Sequence, residues 1–105
     1  MALFGSNLRN DVLVAIARLG DTYISELARL FDRTPTEITR AVASLERDGI
    51  VASRRMGQTR IIRLEPRYIA SDELYALLLR LSELPKYRGL WSKLRRRPRA
   101  IGKSL

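Results

Sequence analysis

Four arginines, Arg54, Arg55, Arg60 and Arg63, fall within ten residues that contain no acid and no lysine. Among them stand Gly57, Gln58 and Thr59, small or hydrogen-bonding residues that read as the tip of a tight turn. Just upstream, Thr36, Thr39, Arg40, Ala43 and Arg47 recur at helical spacing. Guanidinium forks match phosphate oxygens and guanine edges, and short side chains let a helix approach bases closely. The chemistry open to these residues is recognition of a polyanion. Bond-making has less to work with: the chain has no Cys and no His, which removes thiolate nucleophiles, imidazole bases, disulfides and soft-metal ligand sets. Asp and Glu are scattered, mostly at helix starts or on solvated faces, and Ser6 and Ser25 have no general base beside them. An enzyme, a cofactor and a metal are therefore not expected.

The charge is unevenly placed. Residues 1–84 carry 12 Lys+Arg against 11 Asp+Glu. Residues 85–105 carry Lys86, Arg88, Lys93, Arg95, Arg96, Arg97, Arg99 and Lys103 with no acid. A nearly neutral body with a polycationic end suits nucleic acid or an anionic membrane surface. A length of 105 residues suits one domain with a tail, and 46% hydrophobic residues make a core small enough to gain from a partner subunit. Lack of disulfides in so small a chain points to the cytoplasm. The apolar run at 12–17 is too short to span a bilayer, and Arg9, Asn10 and Asp11 interrupt any signal-peptide pattern.

These side chains need elements to position them. Ser6 or Asn7 can cap a first helix reaching about Leu19, which Gly20-Asp21 ends. Residues 22–24 read as a short extended piece. Ser25 reads as the cap of a short second helix, with Asp32-Arg33 as the turn after it. Thr34-Pro35-Thr36-Glu37 is a capping box with proline at the first helical position, where its missing N–H costs nothing. Ile38, Ala41, Val42 and Leu45 then form the inward stripe of a third helix, stopped by Gly49. If that stripe faces inward, Thr36, Thr39, Arg40, Ala43 and Arg47 face outward. Residues 50–56 and 59–65 read as strands joined at Gly57-Gln58. Ser71 reads as the cap of a fourth helix over 72–84, and Pro85 interrupts it.

Two short helices joined by a tight turn and followed by a hairpin suggest a helix-turn-helix with a wing. The run ISELARLFDRTPTEITRAVASLERDGIVASRRMGQTRIIRL, residues 24–64, resembles the winged-helix regulators of the bacterial ArsR/MarR-like group. The resemblance rests on Glu26-Leu27-Ala28, Ile38-Thr39-Arg40, Leu45, Asp48-Gly49-Ile50-Val51 and the Arg-Arg…Gly…Thr-Arg wing. It implies a mainly α fold with a small β-hairpin (α+β), a winged helix-turn-helix at 1–70, a dimerisation helix at 71–84 and a basic amphipathic tail at 85–105. It also implies a sequence-specific transcriptional regulator of duplex DNA. Thr36, Glu37, Thr39, Arg40 and Ala43 would read bases, with Glu37 either accepting from a cytosine amine or staying in its capping box. Arg47, Arg54, Arg55, Gln58, Thr59 and Arg60 would touch the DNA backbone. Metal-sensing members use Cys, His and carboxylates, a set this chain cannot assemble.

The fourth helix is too apolar for an outer element, with Leu74, Tyr75, Leu77, Leu78, Leu79, Leu81 and Leu84. The excess implies a homodimer, through Leu8, Val12, Leu74, Leu78 and Leu81. Burial beneath the chain's own tail would also cover it. In the tail, Tyr87, Leu90, Trp91 and Leu94 form an apolar stripe on a basic helix ending at Pro98. It can dock on the body and leave Arg95, Arg96, Arg97 and Arg99 to touch phosphates. It can also lie on an anionic membrane or stack on RNA bases. An adaptor that binds protein through the winged helix, and membrane or RNA through the tail, is the competing reading.

Overall fold

The computed structural model describes residues 3–95. The elements run α1 (Asn7–Leu19), α2 (Ile24–Phe31), α3 (Pro35–Arg47), β1 (Val51–Met56), β2 (Thr59–Leu64), α4 (Ser71–Leu81) and α5 (Pro85–Arg95). The strands form one antiparallel pair, with Val51 opposite Leu64 and Met56 opposite Thr59.

The central helix is α1. Every residue from 12 to 17 is buried, because α2, α3, β2 and α4 all pack around it. Leu27 and Leu30 of α2, Ile38, Val42 and Leu45 of α3, and Val51 and Ile62 of the hairpin complete the core below it. Leu74 and Leu78 of α4 close the core from the other side.

Local chemistry sets most boundaries. The Ser6 hydroxyl accepts from Arg9 N–H and starts α1. Asp32 takes a left-handed conformation (φ 55°), which lets Arg33 N–H reach the Ala28 carbonyl at 2.9 Å and closes the turn between α2 and α3. After α3, Gly49 (φ 76°) donates to Glu46 O and Ile50 donates to Leu45 O, the paired bonds of a Schellman stop. Gly57 has φ 65° and opens a two-residue hairpin loop.

Several boundaries depart from the sequence expectation. Thr22 exchanges backbone hydrogen bonds with Ile62 (3.0 and 2.8 Å), adding a third-strand bridge to the hairpin. That pairing holds Tyr23 extended, so Tyr23, not Ser25, precedes α2, which starts at Ile24. Ser71 lies inside α4 and its hydroxyl donates back to the Pro66 carbonyl. The expected strands each shorten by one residue, to Val51–Met56 and Thr59–Leu64. The expected fourth helix ends at Leu81, and Pro85 begins α5, a position where a proline loses nothing.

α5 docks on the body. Tyr87 and Trp91 are buried and their rings stack, with centroids 6.1 Å apart. The Tyr87 hydroxyl donates to Asp11 Oδ1 at 2.6 Å, and Trp91 Nε1 donates to the Ser82 carbonyl at 2.9 Å. The Arg18 guanidinium covers the Trp91 ring at 5.9 Å. Burial and the Asp11 carboxylate raise the Tyr87 pKa, keeping the phenol protonated as a donor.

Trp91→Ala removes a buried indole and its hydrogen bond, and should cost about 3–5 kcal/mol in urea unfolding. Tyr87→Phe, which loses only the hydroxyl, should cost about 1 kcal/mol. If Trp91→Ala unfolds at the parent's urea midpoint, α5 is not part of the cooperative unit.

Candidate nucleic-acid interface

The outward stripe of α3 is built from its start. The Thr34 hydroxyl accepts from Glu37 N–H (3.1 Å) and the Glu37 carboxylate accepts from Thr34 N–H (3.0 Å), with Pro35 at the first helical position. That box sets which side chains face outward. Thr36, Thr39, Arg40 and Arg47 are exposed along one side, and Ala43 between them is half-buried. Glu37 is not a free acceptor on this face. Its carboxylate is held by the cap and by Arg33 at 3.4 Å. The Thr34 N–H bond, aided by the Arg33 charge, keeps its pKa below the ordinary value.

The hairpin lies at the other end of α3. Residues directly opposite share a face, so Arg55 and Arg60 project together on the face that carries Val51, Ile62 and Leu64 into the core. Arg54 (opposite Ile61) and Arg63 (opposite Ala52) project from the other face. Arg54, Arg55, Gln58, Thr59 and Arg60 are all exposed, as is Met56 beside the loop. They do not act alike. Arg60 Nη2 bonds Glu46 Oε1 at 2.9 Å, and Arg60 Nε bonds Ser53 Oγ at 3.0 Å. Among the described residues, Arg40, Arg47 and Arg55 enter no ion pair.

Three contributors escape a reading of sequence alone. Glu46 anchors the wing through Arg60 and through Ser53 Oγ, which donates to its Oε2 at 2.5 Å. Arg9 of α1 braces the same end of α3. It bonds Ser44 Oγ, Asp48 Oδ2 at 2.7 Å and the Phe4 carbonyl at 2.5 Å. Thr22 Oγ1 donates to the buried Glu26 carboxylate at 2.6 Å, beneath the Thr22–Ile62 bridge. The available signal at the first two sites was an acid close to arginines, Glu46 and Asp48 on either side of Arg47.

The expected dimer residues are placed differently from the expectation. Val12 and Leu78 are fully buried inside the protomer and Leu74 is nearly so, while Leu8 and Leu81 pack partly against the same core. They fill the protomer's own interior because α4 lies along α1. The large apolar side chains exposed in and around α4 are Ile69, Tyr75, Leu77 and Leu84. The side chains of Arg95, Arg96, Arg97 and Arg99, with Pro98, lie outside the described residues. Among the described residues, no helix is long and apolar enough to cross a membrane.

The MarR family model matches residues 8–57. No curated protein matches the chain. Among solved structures, the chain is similar to reduced HlyU from Vibrio cholerae (22% identity, 73% of this chain and 75% of that one, TM-score 0.61). It is similar to the adhesin competence repressor AdcR from Streptococcus pyogenes (12% identity, 87% and 66% covered, TM-score 0.61). It is also similar to a ZitR variant from Lactococcus lactis in complex with DNA (14% identity, 85% and 59% covered, TM-score 0.57). The chain thus spans less than two thirds of the last two. The fold expected from the sequence is the one observed, an α+β winged helix-turn-helix with two helices after the wing, and it is similar to those solved structures.

The capping box generates a pH test. A carboxylate with a lowered folded-state pKa stabilises the fold above its unfolded value, and that contribution is lost as pH falls through the folded value. Glu37→Gln should therefore be less stable than the parent at pH 7, and the gap should narrow below its ordinary value near 4.5. Urea unfolding at steps from neutral to acid pH reads this gap; a gap that stays constant would contradict the assignment. Thr34→Ala should cost about 1 kcal/mol.

Proposed function

We propose that this chain is a sequence-specific transcriptional regulator of the cytoplasm that binds duplex DNA. α3 enters the major groove and the wing lies on the adjacent backbone. The observation that carries the reading is an exposed stripe on α3 tied through Glu46 and Arg60 to an exposed hairpin, among the described residues. The stripe holds Thr36, Thr39 and Arg40 on a helix with a fixed start, and the hairpin bears arginines. A similar fold has been solved in complex with DNA, which supports the same use here.

The roles we assign rest on side-chain chemistry and exposure. Arg40 reads a guanine edge, since a guanidinium fork matches its two acceptors. Thr36, Thr39 and the small Ala43 let α3 sit deep in the groove and touch bases or thymine methyls. Arg47, Arg54, Arg55, Gln58 and Thr59 neutralise or hydrogen-bond the backbone, which sets register without reading sequence. Arg60, tied to Glu46, serves the wing's placement first. The exposed apolar side chains Tyr75 and Leu77 of α4 and Leu84 just after it support pairing of two chains about a twofold axis. Such a pair would present two copies of α3 about one duplex turn, ~34 Å, apart. The basic tail adds sequence-independent attraction to phosphates.

Selection of bound duplexes from a random library should return a palindromic consensus. On that site, Arg40→Ala should cost about 1–3 kcal/mol and relax preference at one position of each half-site. Arg55→Ala should weaken all sequences alike and reduce the log–log salt slope by about 0.9 for each phosphate it no longer neutralises. Duplex binding by both variants with the parent's affinity and selectivity would show the roles to be misassigned.

A further inference from the structure

A carboxylate stands on the side of the molecule where phosphates would gather. Glu46 lies in the last turn of α3, and its two oxygens are divided between the two strands of the hairpin. Oε2 accepts from Ser53 of β1 at 2.5 Å, and Oε1 accepts from Arg60 of β2 at 2.9 Å. Arg60 Nε returns to Ser53 Oγ at 3.0 Å, closing a ring of three side chains from three elements. On electrostatic grounds alone the acid is a defect, since it repels DNA and cancels one wing cation.

Its position explains what it does instead. A two-stranded hairpin is only marginally stable by itself. The base of this one is held by the Thr22–Ile62 bridge and by core packing of Val51 and Ile62. The stretch farther out has its own ladder and the Glu46 ring. Arg55 and Arg60 are direct cross-strand partners, a like-charge pair that destabilises a hairpin when uncompensated. Drawing Arg60 back onto Glu46 relieves that repulsion and leaves Arg55 as the cation on that face without an ion pair among the described residues.

Resting on the duplex-DNA reading above, we propose that Glu46 is a positioning residue. It fixes the angle between recognition helix and wing, so that groove reading and backbone contact fall in register on one duplex.

The test uses the full chain with Glu46→Ala, Glu46→Gln and Ser53→Ala. Amide hydrogen exchange is measured on the free protein. Affinity and hydroxyl-radical footprint are measured on a duplex selected by the parent. Glu46→Ala should speed exchange across residues 54–60 while Val42 and Leu45 keep the parent's protection. It should weaken specific binding by about fivefold, the scale of one missing hydrogen bond, although the net charge becomes more positive. The part of the footprint under the wing should fade, and the part under α3 should remain. Ser53→Ala changes no charge and should move all readouts the same way, less far. Glu46→Gln keeps an acceptor and should recover part of the loss.

Unchanged wing exchange in both alanine variants would overturn the proposal. So would a loosened wing with unchanged or tighter specific binding, because Glu46 would then be only an unfavourable charge. If the parent binds no duplex, the DNA reading falls and this assignment falls with it. The exchange data on the free protein would still separate that failure from failure of the ring to hold the wing.

Discussion

The placement of α3 depends on its last turn. Glu46 and Asp48 stand there, and each is held by an arginine from another element, Arg60 from the hairpin and Arg9 from α1. Just beyond them Gly49 ends the helix in a left-handed conformation and redirects the chain into β1. One turn of helix thus references α1, α3 and the wing to each other. The opposite end is set independently by the Thr34–Glu37 box, so both the rotation and the ends of the outward stripe are determined.

These ion pairs act on geometry more than on stability. Asp48 is about half exposed and Arg60 and Glu46 are partly so, and pairs of that kind contribute about 0–1 kcal/mol. Stability comes from the apolar residues around α1 and from the Tyr87–Trp91 seat of α5. The separation has an electrostatic consequence. With Glu37 bonded to the cap and Arg33, and Glu46 and Asp48 to Arg60 and Arg9, the acids near α3 are matched internally. Arg40, Arg47, Arg54, Arg55 and Arg63, which enter no ion pair among the described residues, are left to set the local field.

Much of this was legible in the residues. The capping box, the glycine stop of α3, the two-residue loop at Gly57 and the inward stripe of Ile38, Ala41, Val42 and Leu45 are local signals, and the structure follows them. What failed was governed by distant partners. Ser25 does not cap α2 because Thr22 is drawn into pairing with Ile62, which moves the helix start earlier. Ser71 directs its hydroxyl to the Pro66 carbonyl. Glu46 reads along the chain as a diluting charge, since its arginine lies 14 residues away across a turn. Val12 and Leu78 read as surplus apolar surface. An α1 surrounded by other elements needs apolar side chains around most of its circumference, and that requirement is visible only once its neighbours are placed.

The hairpin shows how the constraints are graded outward. On its core side, Ile62 is buried and bonded on its free edge to Thr22. Ser53, directly opposite Ile62, and Arg60, two residues nearer the tip, are tied to α3. Beyond that, Met56, Gly57, Gln58 and Thr59 are exposed and rely on the ladder and a glycine turn. Restraint therefore falls from core to tip, with exposed arginines along the hairpin's length and the hydrogen-bonding Gln58 and Thr59 at its end. A surface meant only for solubility would not need its middle section fastened to the neighbouring helix. One that must meet a rigid, repeating array of charges does, because each contact made by the tip is useful only if the helix beside it already stands at a matching distance.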